Sequence, residues 1–335
     1  MCTPQRTSTE VEEVVKVTRL NLYNQDLFCG AQSILWELEE QNITPLPSLR
    51  TINRILSRNS LTHRHTGRYK AKGTKYPLLA ARTPNERHQA DFVGPRHLRG
   101  SQDTIRFYGM NVVDINTGRC GTEPLLNRGG NAVYEAFWAI WGRLGIPHHL
   151  QVDNEMTFYG SPTHPRGMGP MIRFCLHYDI ELWFIPQSEP WRNGVIEQFN
   201  NHYQQKFLDR VPMQTENELR VGSLAFEEKH NSRYRYSKLK GKTPLQALAQ
   251  ADGKRLRFPD KQPPPKMPLK KPESGHYHVI RFIRSNCKLD IFGEKFRLDP
   301  ALQYEYVVAT IDVEEQKLKL FHDQLQVDEF EYKLR

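Results

Sequence analysis

The sequence predicts an α/β protein built on a mixed five-stranded sheet with flanking helices. A helix-turn-helix module precedes the sheet and a small β-barrel follows it. Three observations predict this. Between residues 88 and 208, short apolar runs of period two alternate with runs of helical spacing, in the order βββ-α-β-α-β-α. Upstream, three segments show helical spacing only, and beyond residue 275 the period is two throughout. The length of 335 residues suits about two domains, or three small ones.

The first helix is expected over 10–20, with Val11, Val14, Val15 and Leu20 on one side, and the second over 31–40, with Ile34, Leu35 and Leu38. Ser48 is a good N-cap for a third helix over 49–56, whose apolar face would be Leu49, Ile52, Ile55 and Leu56. Its outer face would carry Arg50, Thr51, Asn53 and Arg54. A helix fits the DNA major groove when such a face offers donors, so Arg50, Asn53 and Arg54 are candidate DNA contacts. An ordinary small bundle is the plainer alternative. This module takes residues 1–62, and 63–84 reads as a basic linker.

In residues 85–230, strands are expected at 88–93, 107–115 and 119–126 as a meander. A helix at 131–144, stopped by Gly145-Ile146-Pro147, leads to a strand at 149–152. A helix at 168–178, a strand at 181–185, and helices at 194–208 and 217–230 follow. Residues 231–274 are Lys- and Pro-rich and read as a helix remnant plus extended linker. Strands near 277–282, 289–298, 304–311 and 318–321 make 275–335 a small β-barrel.

Composition excludes some classes. No run of ~18 apolar residues spans a membrane, and the opening MCTPQRTSTE lacks the apolar region of a signal peptide. Cys2, Cys29, Cys120, Cys175 and Cys287 show no CxxC spacing, so a zinc ribbon is disfavoured and a reducing compartment is expected. The net charge of +9 is unevenly placed. Residues 50–75 hold eight basic side chains and no acidic one, and 229–271 hold 13 against 2. Residues 86–210 are almost neutral, with 12 against 13. Basic connectors around a neutral core suit a protein that grips phosphates on both sides of a site, though solvated linkers would look the same.

The neutral block contains three notable carboxylates. Asp91 interrupts an apolar strand, Asp153 closes the fourth strand, and Glu197 falls in the first turn of a helix. An Asp inside a strand needs a partner or a ligand. Gathered carboxylates repel, and a hard divalent cation such as Mg²⁺ or Mn²⁺ removes that repulsion. Three unrelated surface carboxylates are the alternative. His88 is expected on the same strand face as Asp91, as a candidate neighbour of a metal or a packed core residue. Phe137, Trp138 and Trp141 read as core or dimer surface, not as a base-stacking platform.

Three stretches carry a family resemblance: HQADFVG at 88–94, Val152-Asp153-Asn154, and IPQSEPWRNGVIE at 185–197. Together they resemble the catalytic core of DDE transposases and retroviral-type integrases, closest to bacterial insertion-sequence transposases with an integrase core. The resemblance covers about a third of the chain. It implies an RNase H-like fold with Asp91, Asp153 and Glu197 as catalytic residues holding two Mg²⁺ or Mn²⁺ ions. It also implies cleavage at an element end, then attack of the freed 3′-OH on target DNA. Double-stranded DNA (element ends and target), a homo-oligomer of at least two copies, no membrane, and a cytoplasmic, nucleoid-associated bacterial location follow from it.

Two features depart from the pattern. Glu189 stands 35 intervening residues after Asp153, the family's usual interval, whereas Glu197 stands 43 after it. Glu197 is preferred because Asn193-Gly194 starts a helix beneath it, while Glu189 sits in the preceding loop. Glu155 replaces the usual Gly, so a fourth carboxylate either tunes metal binding or faces solvent. Arg192, Asn193, Asn201 and Gln204 are further candidate DNA contacts around Glu197. Three other functions stay open: an RNase H-like nuclease without strand transfer, a decayed or recruited DNA-binding protein of transposase origin, and a structural or interaction protein that merely has this fold.

Overall fold

A computed structural model describes residues 7–62, 76–77, 81–99, 104–161, 163–251, 256–260, 264–267 and 270–335. Most of the expected basic linker 63–84, including Arg64, Arg68, Lys70, Lys72 and Lys75, lies outside the described residues, as do parts of 252–269. Two compact units result, residues 1–71 with 229–250, and 72–228 with 251–335.

The first unit contains α1 (Thr9–Asn24), α2 (Ala31–Glu40) and α3 (Leu49–Arg58). Ser8 and Ser48 cap α1 and α3 by accepting the backbone N–H groups of Val11 and Thr51. Val15, Leu22, Ile34, Leu38, Ile52, Ile55 and Leu56 are buried, while Leu20 and Leu49 are exposed. The connection 41–48 is longer than the three-to-four-residue turn of a helix-turn-helix. Residues after 230, expected as linker, pack here. Tyr234 is buried, stacks on Phe28 at 4.8 Å and donates its hydroxyl to the Asp26 carbonyl at 2.7 Å. A short helix, Pro244–Gln250, follows.

The second unit opens with the antiparallel strands β1 (Arg87–His97), β2 (Arg106–Asp114) and β3 (Cys120–Leu125). After α4 (Gly130–Leu144), β4 (His149–Val152) joins β1 in parallel. The helices α5 (Met156–Tyr159) and α6 (Pro170–His177) lead to β5 (Glu181–Phe184), which joins β4 in parallel. Then come α7 (Gly194–Tyr203), a π-turn at Gln204–Leu208, and α8 (Glu216–Arg233). The order β3-β2-β1-β4-β5, antiparallel on one side of β1 and parallel on the other, is that of an RNase H-like sheet. Each parallel connection crosses over through helices, as parallel pairing requires.

The two faces of the sheet differ in chemistry. Ala90, Phe92, Met110, Val112, Leu150, Val152, Leu182 and Phe184 lie in the main core with Trp141 of α4 and Phe174 of α6, whose rings stack at 5.3 Å. Phe137, Trp138 and Trp141 are all buried there, as core. The other face, set by the alternate residues of each strand, receives α7 and α8. Tyr203 of α7 donates to or accepts from Ser223 of α8 at 2.7 Å.

The C-terminal segment departs from the expected barrel. β6 (His276–Phe282) pairs in parallel with β5, opposing Leu182 to Tyr277, Trp183 to His278 and Phe184 to Val279. β7 (Lys288–Ile291) and β8 (Glu294–Arg297) form a separate hairpin. β9 (Tyr306–Asp312), β10 (Lys317–His322) and β11 (Leu325–Glu331) continue outward from β6. The five strands therefore become part of a nine-stranded sheet, and 275–335 closes no barrel of its own among the described residues. The alternation predicted strands correctly. It could not show that β6 covers the otherwise open edge of β5, where Tyr277 and Val279 join the core already formed by Leu182 and Phe184.

Candidate active site

Two short motifs of one form build the site: Gln89-Ala90-Asp91 in β1 and Gln151-Val152-Asp153 at the end of β4. Gln89 is paired with Gln151 across the parallel ladder. Asp91 and Asp153 each stand two residues past this pair, just beyond the paired part of the ladder, and the Asp153 charge acts on Asp91. His88 falls on the opposite face, because it is three residues from Asp91 and strand side chains alternate. It is fully buried, bonded to Asn85 at 3.1 Å, and burial together with the Arg119 charge pushes its pKa down to about 3. It is a packed histidine.

The two glutamines set the third carboxylate. Gln89 Oε1 accepts the Ile196 N–H at 3.1 Å, so a strand side chain satisfies one of the free donors in the first turn of α7. Gln151 Nε2 donates to the Arg192 carbonyl and to Asn193 Oδ1, both at 3.0 Å. The turn that launches α7 is thus pinned to the strands that carry Asp91 and Asp153. Glu197, half-buried in the first turn of α7, adds its charge to the field on Asp91.

A polar row runs away from Asp91 across the sheet. Asn200 Nδ2 donates to Asp91 Oδ2 at 2.8 Å, Asn111 Nδ2 donates to Asn200 Oδ1 at 2.8 Å, and Thr122 Oγ1 donates to Asn111 Oδ1 at 2.6 Å. Asn111 and Thr122 are fully buried. Asn200 lies one turn after Glu197, where the sequence had suggested Asn201, and Asn201 is exposed. The polar Asn111 inside the apolar run MNVV was the signal that could have found this row.

Burial pushes the Asp91 carboxyl up to about 7, and the charges of Asp153, Glu155 and Glu197 push it the same way. Burial also raises Asp153 to about 6, opposed by the backbone N–H of Glu155, which donates to Asp153 Oδ1 at 3.0 Å. Glu155 does not face solvent alone. It binds Arg128 at 2.6 and 2.8 Å, and the guanidinium lies over Tyr108 at 4.9 Å. Its charge still raises Asp153, while that of Arg128 lowers it.

Among the described residues, Asp91 and Asp153 make no ion pair, and no group of three or more His, Cys, Asp or Glu side chains is arranged to hold a metal ion. The donor chemistry, hard carboxylate oxygens that repel one another at Asp91, is still of the kind that suits Mg²⁺ or Mn²⁺. Mg²⁺ takes one or two carboxylates and fills its remaining positions with water or phosphate oxygens.

Glu189 is committed elsewhere. Tyr306 of β9 donates its hydroxyl to both Glu189 oxygens at 2.8 and 2.9 Å, and Arg192 Nε donates at 2.9 Å. Arg192 also donates to the Tyr306 hydroxyl at 2.9 Å and lies 3.8 Å from the Tyr76 ring centre. Glu189→Gln is therefore expected to lower stability by about 1–3 kcal/mol while leaving chemistry at Asp91 in place. Thermal unfolding would check this, at about 2–4 °C per kcal/mol.

The candidate DNA contacts separate into two groups. Arg50, Asn53 and Arg54 are exposed together on the outer face of α3. Asn201 is exposed as well. Arg192 and Asn193, by contrast, are used internally: Asn193 is buried against Gln151, and Arg192 is held by Glu189 and Tyr306. Gln204 is half-buried and accepts from Arg96 at 3.1 Å. The loop position that made Arg192 and Asn193 attractive is stabilised from within, by bonds to Glu189, Tyr306 and Gln151.

No family model matches the chain, and no curated protein matches it. Solved structures do. The magnesium-bound HTLV-2 integrase catalytic core domain in its trimeric form is 18% identical, covering 50% of this chain and 99% of that one, with a TM-score of 0.38. The simian T-cell lymphotropic virus intasome, solved with the PP2A regulatory subunit B56 gamma, is 16% identical over 95% of this chain and 96% of that one, with a TM-score of 0.43. The BIV integrase catalytic core is 14% identical over 49% and 94%, with a TM-score of 0.37. Among the described residues, no helix is long and apolar enough to cross a membrane. By its own strand order and crossover helices, the core of this chain has an RNase H-like fold.

Proposed function

We propose that this chain is a DDE-type DNA transposase or integrase, a polynucleotidyl transferase that cuts DNA at the ends of a mobile element and joins them to target DNA. The observation that supports the reading is that Asp91 and Asp153 each stand two residues past the paired Gln89 and Gln151, while those two glutamines bond the turn that starts the helix of Glu197. In this reading Asp91, Asp153 and Glu197 hold two Mg²⁺ or Mn²⁺ ions. When bound, such cations supply Lewis acidity that activates a water or a 3′-OH and neutralises charge on the departing oxygen.

The chain's own residues do the rest. Asn200 holds one oxygen of Asp91 and turns the carboxylate to a single orientation. Gln89 and Gln151 fix the distance from Glu197 to the strands. The Arg128–Glu155 pair borders the carboxylates with no net charge. Arg50, Asn53 and Arg54 are assigned to DNA recognition, where they would contact phosphates and base edges. Joining two DNA ends requires at least two copies.

The test incubates the full chain with Mg²⁺ and labelled oligonucleotides copied from the DNA flanking its gene. Joined products are the expected result. Nicked ends without joining would instead make it a nuclease. Salt-sensitive DNA binding with neither product would make it a DNA-binding protein of transposase origin.

A further inference from the structure

The C-terminal strand β6 sends one arginine into the heart of the site's support. Arg281 is only 5% exposed, and all its hydrogen-bond partners are neutral. Its Nε donates to the Asp290 carbonyl at 2.9 Å. One terminal nitrogen donates to the carbonyls of Ile280 and Ile185 at 2.9 and 3.3 Å, and the other to Asn154 Oδ1 at 2.9 Å. Asn154 Nδ2 in turn donates to the same Ile185 carbonyl at 2.5 Å. Burying a guanidinium with no carboxylate bonded to it is costly. Burial indeed lowers its pKa to about 10.

That cost is spent at one place. Asn154 follows Asp153 directly, and Ile185 is the first residue past β5, where the loop toward Glu189 and Glu197 begins. The planar fork of Arg281 ties both ends together, which a lysine's single ammonium cannot do.

We propose that Arg281 is a positioning residue for the metal site: acting through Asn154, it fixes the turn that presents the Asp153 carboxylate, so the site is incomplete without the C-terminal strand. The proposal rests on the reading of Asp153 as a metal ligand.

The experiment uses the full chain, with Mn²⁺ alone as probe and free Mn²⁺ followed by electron paramagnetic resonance. Arg281→Met, Arg281→Lys, Asn154→Ala and the Arg281→Met/Asn154→Ala double variant are compared with wild type after circular dichroism confirms folding. Expected losses of Mn²⁺ affinity are about 10–100-fold for Arg281→Met and for Asn154→Ala. The double variant is expected to be no weaker than the worse single, because both act through one contact. Arg281→Lys is expected to fall in between, and with Asn154→Ala it decides the matter if Arg281→Met does not fold. Wild-type affinity in the folded arginine variants, or losses that multiply in the double, would overturn the proposal. Asp153→Asn separates the two readings. Wild-type Mn²⁺ affinity there overturns the metal-site reading and this proposal with it. Lost affinity there with normal binding in Arg281→Met overturns only the proposal.

Discussion

Asp153→Asn is expected to reduce Mg²⁺-dependent DNA cleavage by about 10³-fold or more, and Asp91→Asn to do the same. The size follows from what a coordinated cation supplies at phosphorus, several kcal/mol of charge stabilisation, at about 1.4 kcal/mol per tenfold in rate. Glu197→Gln belongs with them, whereas Glu189→Gln should stay active because Tyr306 and Arg192 already occupy Glu189. Asn200→Ala should cost less, about 10–100-fold, since it orients Asp91 without touching substrate. Single-turnover cleavage of labelled DNA measures all five. A fully active Asp153→Asn would remove the site from this place in the fold. An inactive Glu189→Gln with a normal melting temperature would transfer the third role to Glu189.

A second large effect is expected in stability against pH. In the metal-free protein the Asp91 carboxyl is raised to about 7, against about 4 in an unfolded chain. Between those values the folded state holds more protons than the unfolded one. The contribution of Asp91 is therefore fully favourable below about pH 4 and is lost as the pH rises through about 7. Asp153, raised to about 6, acts in the same direction over the lower part of that range. Asp91→Asn should accordingly melt higher than wild type at about pH 8 in the presence of a chelator, with the advantage gone near pH 4. Taking the difference between the two proteins removes groups that titrate the other way, such as the buried His88. Mg²⁺ should close the gap at pH 8 by raising wild type alone. Melting curves that coincide at pH 8, or an equal Mg²⁺ effect on Asp91→Asn, would show that these carboxylates are not a strained cation site.

Much of the fold can be read along the chain because its causes are local. Period-two runs mark β1 to β6, helical spacing marks α1 to α4 and α6 to α8, and Ser48 announces the start of α3. Local signals fail where an element is short or its pattern is borrowed. The four-residue α5 has too few turns to show a period, and β1 passes through Gly94-Pro95 with a register shift to reach His97. The segment 231–250 looks like linker by its lysines, yet Tyr234 buries its ring against Phe28.

By itself, the sequence determined the α/β class, the order of strands and helices in the core, and the three carboxylates to suspect, since periodicity and an acid inside an apolar strand are written in neighbouring residues. Only the tertiary structure decided which residues meet. Gln89 with Ile196, Asn111 with Asn200, Glu189 with Tyr306 and Arg281 with Asn154 are separated by roughly 90 to 130 positions. It also decided that the last strands extend the core sheet and, among the described residues, do not form a barrel beside it. The physical reason is the same in each case. A hydrogen bond or a ladder edge is satisfied by whatever group the folded chain brings within about 3 Å, and one-dimensional spacing does not record that distance.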